Sequence, residues 1–253
     1  MLNISAVIIT FNEERNIDRC LKSLQNVADE IIVLDSFSTD KTEEICRTYN
    51  VKFFTHAFDG HVQQKNRVMS MASNDLVLSL DADEALDEEL ANEIRSIKNR
   101  SDVAAYKFNR MTNYVGQWIK HSGWYPDTKV RLWDKTQGKW GGTNPHDKVI
   151  LNNNIAVKHL KGNILHYSYY SVEEHFKQNN YFTSIAALEM FKNGKKANIF
   201  MAIIKSIWIF KRNYLFKLGF LDGYYGFIIC KLTAQATFSK YIKLIELNKS
   251  KIE

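Results

Sequence analysis

Three short apolar runs, each broken off by a polar cluster, constrain this chain more than any other feature. Ile4–Thr10 (ISAVIIT), Ile31–Leu34 (IIVL) and Leu76–Leu80 (LVLSL) are nearly continuous in apolar character. That is the pattern of strands covered on both faces, as in a parallel sheet. Val51–Phe54 and Ala104–Phe108 read as further strands. Helical spacing fills the intervals. Ile17, Cys20, Leu21 and Leu24 recur three and four residues apart, with Asn12 as the expected cap, and Thr42–Tyr49, Val62–Ala72 and Glu88–Lys98 read as helices as well. Strand–helix alternation with short links predicts an α/β fold on a mostly parallel, doubly wound sheet.

The alternation stops near residue 110. From Arg110 to His159 the chain has four of its five Trp and glycines at 116, 123, 138, 141 and 142, which predicts short strands and long loops. Ile164–Tyr167 reads as another strand and Val172–Lys192 as an amphipathic helix. From Ala197 onward the pattern is helical, apolar and basic. With only 2 Pro and 11 Gly in 253 residues, no flexible linker is expected. The expected division is an α/β domain over 1–170 and a helical extension over 171–253. Cys20, Cys46 and Cys230 are odd in number and far apart, which suits buried free thiols in a reducing cytoplasm. The start, MLNISAVIITFNEE, lacks the basic region of a signal peptide. No G-x-G-x-x-G occurs, which argues against a nicotinamide or flavin cofactor.

The net charge of +6 suits an anionic partner, and it is unevenly spread. The first hundred residues lie on the acidic side of balance, whereas beyond Lys192 the only acids are Asp222, Glu246 and Glu253. Ile199–Phe220 is too interrupted to span a bilayer, which needs about 20 apolar residues. Its Lys205, Lys211, Arg212 and Lys217 interleave with Trp208, Phe210, Tyr214 and Phe216. Such interleaving suits a helix lying in a membrane interface, the competing reading being a packed helix with a basic edge. No nucleic-acid-binding motif accompanies it, so nucleic acid is not an expected partner.

In sheets of this kind ligands bind beyond the carboxyl ends of the strands. Asp81 and Asp83 follow LVLSL. Two carboxylates one residue apart are oxygen ligands of the kind Mg2+ or Mn2+ takes alongside substrate phosphates; as a bare pair they read equally as capping or surface acids. Asp35 follows the second run, where a carboxylate can accept from a ribose or a base N–H. Ser38, Thr39 and Asp40 are better placed to cap the next helix. Thr10, Phe11 and Asn12 follow the first run, and Phe11 suits a nucleobase or the core.

Three blocks in order, VIITFNEERNIDRCLKSL, EIIVLDSFSTDKTEEI and QQKNRVMSMASNDLVLSLDADE, resemble glycosyltransferase family 2, whose fold is the GT-A nucleotide-sugar-binding α/β sheet. The later segments WYPDTKVRLW, PHDKV, LHYSYYS and FLDGYYGF resemble the branch containing lipopolysaccharide core β-glucosyltransferases. The resemblance implies an inverting transfer from a nucleotide diphosphate sugar, such as UDP-glucose, to a hydroxyl of a cell-envelope glycolipid or polysaccharide, at the inner face of the cell membrane. It assigns Thr10, Phe11, Asn12, Asp35, Lys65, Arg67 and Asp81 to the donor. It assigns Asp83, with Asp81 and His166, to a divalent metal. For the general base it points to Asp147 in Pro145-His146-Asp147, where the family's usual acid is Glu, with Asp127 as the rival and His146 orienting base or donor. Trp118, Trp124, Trp133 and Trp140 suit sugar stacking or core packing. Two other functions compete: a nucleotidyltransferase, which would carry a Gly-rich loop that TFNEERN lacks, and a non-catalytic membrane-bound nucleotide-sugar binder.

Overall fold

The computed structural model describes residues 2–99, 104–143 and 146–249, apart from the side chains at positions 143 and 146. The chain divides into two compact units, Met1–Met111 with Asp127–Tyr167, and Thr112–Pro126 with Ser168–Glu253.

In the first unit β1 (Ile4–Thr10), β2 (Glu30–Asp35), β3 (Lys52–Thr55) and β4 (Leu76–Asp81) pair in parallel in the order β3-β2-β1-β4. Connecting them are α1 (Ile17–Leu24), α2 (Thr42–Arg47) and α3 (His61–Ser70); β5 (Glu84–Leu86) and α4 (Glu88–Ile97) follow. The sheet then becomes mixed. β8 (Asp127–Asp134) pairs antiparallel with β4 and with β6 (Ala105–Tyr114), and the order runs on through β11 (Val157–Tyr169) to β5, which is antiparallel to β11. A separate hairpin joins β9 (Gly138–Thr143) and β10 (His146–Leu151).

Alternate residues of the central strands enter opposite cores, as the period of two requires. Ile4, Ala6 and Ile8 of β1 join Ile31, Val33, Leu78 and Leu80 under α1 and α4. Val7, Ile32, Leu34 and Val77 pack on the other face with Val68 of α3 and Trp133. The four periodic residues of α1 are all buried, so its apolar stripe is what docks it. Asp87 caps α4 through Leu90 N at 2.8 Å, and its other oxygen accepts from Asn163 N and Nδ2 at 2.9 Å each. Beside it Gly162 has φ +82°, and a Cβ there would lie 2.3 Å from Leu90 N.

Several expectations need correction. Asn12 does not cap α1: it sits at φ +54°, and its Oδ1 accepts from Thr39 N at 2.8 Å instead. The helix starts five residues later because residues 11–16 form the turn beyond β1. Three longer strands, β6, β8 and β11, replace the expected loops and the short Ile164–Tyr167 strand. The short β5 had no sequence signal, since three residues are too few to show a period. All three cysteines are buried and free, as expected.

In the second unit α5 (Val172–Lys192), α6 (Ile199–Lys211) and α7 (Gly223–Lys249) pack together around Ala187, Ala202, Tyr241 and Leu244. β7 (Gln117–Trp118) pairs with the end of β6. Tyr114 lies edge-on to Trp124, Tyr169, His175 and Tyr225, and its hydroxyl is 3.0 Å from His175 Nδ1. Burial pushes the His175 imidazole down to about 4, so it is neutral near pH 7. The buried carboxylate of Asp222 accepts from Lys120 N, His121 N and Ser122 Oγ. Among the described residues no helix is long and apolar enough to cross a membrane.

Candidate active site

The three polar clusters meet at one sheet edge. Register pairs Thr10 with Asp35 and Ile9 with Asp81, so the chain leaves β1, β2 and β4 on the same side. Side chains then fasten the exits together. Asn12 N donates to Ser38 Oγ at 2.8 Å, and Ser38 N and Oγ donate to the two oxygens of Asp35 at 2.7 and 2.5 Å. Asp35 is therefore buried and engaged by its own turn. Asp40 accepts from Thr42 N and Glu14 N, each at 3.0 Å, which is the structural role expected of it. Phe11 is exposed rather than in the core, and the buried Thr10 hydroxyl has no hydrogen-bond partner among the described residues.

Lys65 is the centre of the charged network. It is nearly fully buried on α3, and its Nζ lies 2.8 Å from Asp81 Oδ1 and 2.8 Å from Asp147 Oδ2. A buried ammonium is tolerated only when paired, and here two carboxylates pair it. Arg131 of β8 reaches Asp81 Oδ2 at 3.0 Å and Glu84 Oε1 at 2.9 Å. Burial by itself would raise the Asp81 carboxyl, but Lys65 and Arg131 outweigh it and hold Asp81 well below the usual carboxylate range. Glu84 also accepts from Asp81 N at 3.0 Å and meets Arg110 at 3.3 Å. The Trp140 ring lies under both cations, 4.4 Å from Lys65 Nζ and 5.2 Å from the Arg131 guanidinium carbon. Lys65, Asp81, Arg110, Arg131, Trp140 and Asp147 line a cleft of about 570 Å3.

Asp83 turns elsewhere. Its Oδ2 lies 3.1 Å from Nε2 of His166 on β11, and its carbonyl accepts from Tyr167 N at 2.9 Å. The expected metal trio is thus divided: Asp83 and His166 come together, while Asp81 is committed to Lys65 and Arg131. Among the described residues no group of three or more His, Cys, Asp or Glu could hold a metal ion. Asp127 Oδ2 accepts from Arg110 Nε and Nη2 at 3.0 and 2.8 Å, and Oδ1 pairs with Lys129 at 3.0 Å. Burial works to raise this carboxyl, but Arg110 and then Lys129 prevail and lower it. Arg67, two residues past Lys65 and so on another face of α3, pairs with Asp59 at 2.6 Å. The His146 side chain and Pro145 lie outside the described residues. Trp133 is core, with Nε1 bonded to Gly138 O, and Trp124 packs in the aromatic cluster of the second unit.

Sequence reasoning missed Arg131, Glu84, Arg110 and Glu13. Arg131 had a signal, a charge within the buried run of KVRLW. Glu13 lies just beyond β1. Burial, opposed by a hydrogen bond from Asn16 and reinforced by Asp83, Asp40 and Asp81, raises its carboxyl to about 7.

Residues 5–172 match the family described as Glycosyl transferase family 2. The chain belongs to glycosyltransferase family 2. Among its relatives is an uncharacterized glycosyltransferase of Rickettsia typhi, 35% identical over 98% of this chain and 88% of that one. The lipopolysaccharide core biosynthesis glycosyltransferase LpsC of Rhizobium meliloti is 24% identical, over 95% of this chain and 93% of its own. The crystal structure of S. aureus TarS 1-349 superposes with a TM-score of 0.48 at 14% identity, covering 99% of this chain and 92% of that one. Family 2 membership makes the protein a glycosyltransferase using a nucleotide-sugar donor, and decides against nucleotidyl transfer.

Proposed function

We propose that this family 2 enzyme transfers a sugar, with inversion, from a uridine diphosphate donor to a hydroxyl of a cell-envelope glycolipid or polysaccharide such as lipopolysaccharide core. The observation that carries the reading is the Lys65 bridge. One buried ammonium ties Asp81, at the donor edge of the sheet, to Asp147, and all three line a cleft large enough for a sugar. Asp147 takes the proton of the acceptor hydroxyl. The acceptor oxygen bonds to the anomeric carbon as the bond from that carbon to the diphosphate oxygen breaks, and the diphosphate leaves with the electron pair. Thr10, Phe11 and Asn12 border the nucleotide, with the Thr10 hydroxyl as a ready polar partner and the exposed Phe11 ring as a stacking surface. Asp35, locked onto Ser38, shapes the turn below it.

Asp83 and His166 fit a divalent cation. One carboxylate and one imidazole are a partial set that Mg2+ or Mn2+ completes with substrate phosphates and water. When bound, such an ion neutralises charge on the departing diphosphate. The resemblance to LpsC favours a lipopolysaccharide-type acceptor.

The test is release of UDP from UDP-glucose and related donors, with lipid-linked or core oligosaccharide acceptors and Mn2+. Acceptor-dependent UDP release with an inverted linkage is expected. A wild-type enzyme that binds donor but transfers to none of these acceptors, using a guanosine- or cytidine-linked sugar instead, would overturn the assignment.

A further inference from the structure

Helix α6 is apolar apart from Lys205, Ser206 and Lys211, yet only one side of it is packed. Ala202 is fully buried, Ser206 Oγ bonds Ala234 O of α7, and Lys205 Nζ bonds the Tyr241 hydroxyl, so that side faces α7. The opposite side carries Phe200, 73% exposed, Ile204, 65%, Ile207 and Trp208. These recur at four, three and one residues, a single helical stripe. A solvated stripe is normally polar, so an apolar one is waiting for a partner.

The stripe continues past the helix end. Residues Arg212–Phe216 form a π-helical turn that brings the Phe216 ring to 6.0 Å from Trp208. Tyr214 then meets Phe220 at 6.2 Å and Phe227 at 5.9 Å, and Tyr224 of α7 is 70% exposed. At 150–250 Å2 per aromatic side chain, the six side chains Phe200, Ile204, Ile207, Trp208, Phe216 and Tyr224 present roughly 700 Å2, above the few hundred usual for a monomer surface.

Charge selects the occupant. Lys211, Arg212 and Lys217 are exposed along the same turn. Among residues 199–227 the only acid is Asp222, and it is buried on Lys120, His121 and Ser122. Glu246 is exposed about 35 Å along α7 from its start, well away from this cationic turn and next to Leu244, which packs with Ala202 at the other end of α6. The face is therefore a broad apolar stripe with a cationic edge and no exposed acid among residues 199–227. A protein partner would be expected to meet some acid–base alternation at the rim. An anionic headgroup layer over hydrocarbon matches both halves of the pattern. We infer that the α6–α7 corner is a docking surface for an anionic phospholipid bilayer, lying in the interface rather than crossing it. This surface stands independently of the proposed donor and acceptor.

The test is flotation of the full-length enzyme with phosphatidylethanolamine vesicles containing phosphatidylglycerol, against pure phosphatidylcholine vesicles. Binding to the anionic vesicles, weakened by salt and by neutral lipid, is expected. The variant Phe200→Ser with Ile204→Ser should bind about tenfold or more weakly. Lys211→Glu with Lys217→Glu should lose the preference for phosphatidylglycerol. Both alter exposed side chains, and unchanged circular dichroism melting and unchanged thermal shift by UDP would show that fold and donor site are intact. Absence of flotation, or undiminished flotation of both variants, overturns the inference. So does a concentration-dependent dimer by analytical ultracentrifugation that the Phe200/Ile204 variant dissociates, since a second copy would then be the occupant.

Discussion

Nε2 of His166, on β11, stands 3.1 Å from Oδ2 of Asp83, just beyond β4. Asp81, which shares the same acidic motif, is meanwhile held by Lys65 and Arg131. The two aspartates therefore have different jobs, and metal dependence should follow Asp83 alone. Calorimetric titration of UDP with and without Mn2+ is the measurement. Asp83→Asn or His166→Ala should remove the Mn2+-dependent gain, a loss of about 100-fold or more given that even supporting residues around a metal cost about 10–100-fold. Asp81→Asn should retain a Mn2+ response while losing stability. Equal Mn2+ enhancement in wild type and Asp83→Asn would remove the metal from this site.

Glu84 is fully buried and accepts from Arg131 and Arg110 and from Asp81 N. Removing the charge leaves the buried Arg131 with Asp81 as its remaining ion-pair partner among the described residues. Arg131 Nε and Nη1 are already buried without partners among the described residues. Taking one member from a buried pair costs about 3–5 kcal/mol. Urea denaturation of Glu84→Gln should show a loss in that range. A change below about 1 kcal/mol would mean the network is not a structural support of the cleft.

Glu13 makes stability depend on pH in an unusual direction. Its carboxyl is raised from 4.5 to about 7, chiefly by burial, with Asn16 opposing and the charges of Asp83, Asp40 and Asp81 adding to it. Between those two values the folded chain holds a proton that the unfolded chain has lost. This contribution is thus fully present below about pH 4.5 and is lost as pH rises through 7. Partial exposure screens the effect and leaves on the order of 2 kcal/mol. Glu13→Gln keeps an acceptor for Asn16 and removes the titration. In EDTA, chemical denaturation from pH 5 to 8 should show a falling wild-type curve and a flatter variant curve. Parallel curves would place the titration elsewhere.

The sequence made legible whatever is periodic or terminal. Residues 4–10, 31–34 and 76–80 announced buried parallel strands, and their polar ends met at one edge because parallel strands must end together. Lys65 and Asp147 were named separately, but their meeting through one ammonium was not visible, since 82 residues separate them and no local pattern encodes the contact. Glu84 carries no sequence signal because β5 is three residues long and antiparallel to a distant strand. Asn12 was misread for a similar reason. Its composition suits a cap, but the turn beyond β1 needed a residue tolerating positive φ, and Asn also meets that need.

The competition between Asp147 and Asp127 for the base can be decided kinetically. Asp127 is gripped on both oxygens, by Arg110 and by Lys129, and its carboxyl is lowered by them against the effect of burial. A carboxylate stabilised in that way is a poorer proton acceptor. Among the described residues Asp147 makes one ion pair, with Lys65, and lines the same cleft as Asp81. Asp147→Asn should therefore lower kcat by about 100-fold to 10000-fold, the usual worth of a positioned base, with UDP-sugar affinity little changed. Asp127→Asn should cost less than about tenfold in kcat and should register mainly as lower thermal stability, because Arg110 loses a partner. Single-turnover transfer with saturating donor separates the two effects. If Asp127→Asn abolishes the chemical step while Asp147→Asn only weakens donor binding, the roles are reversed: Asp147 is then the counter-ion that positions Lys65, and Arg110 the residue that orients the base.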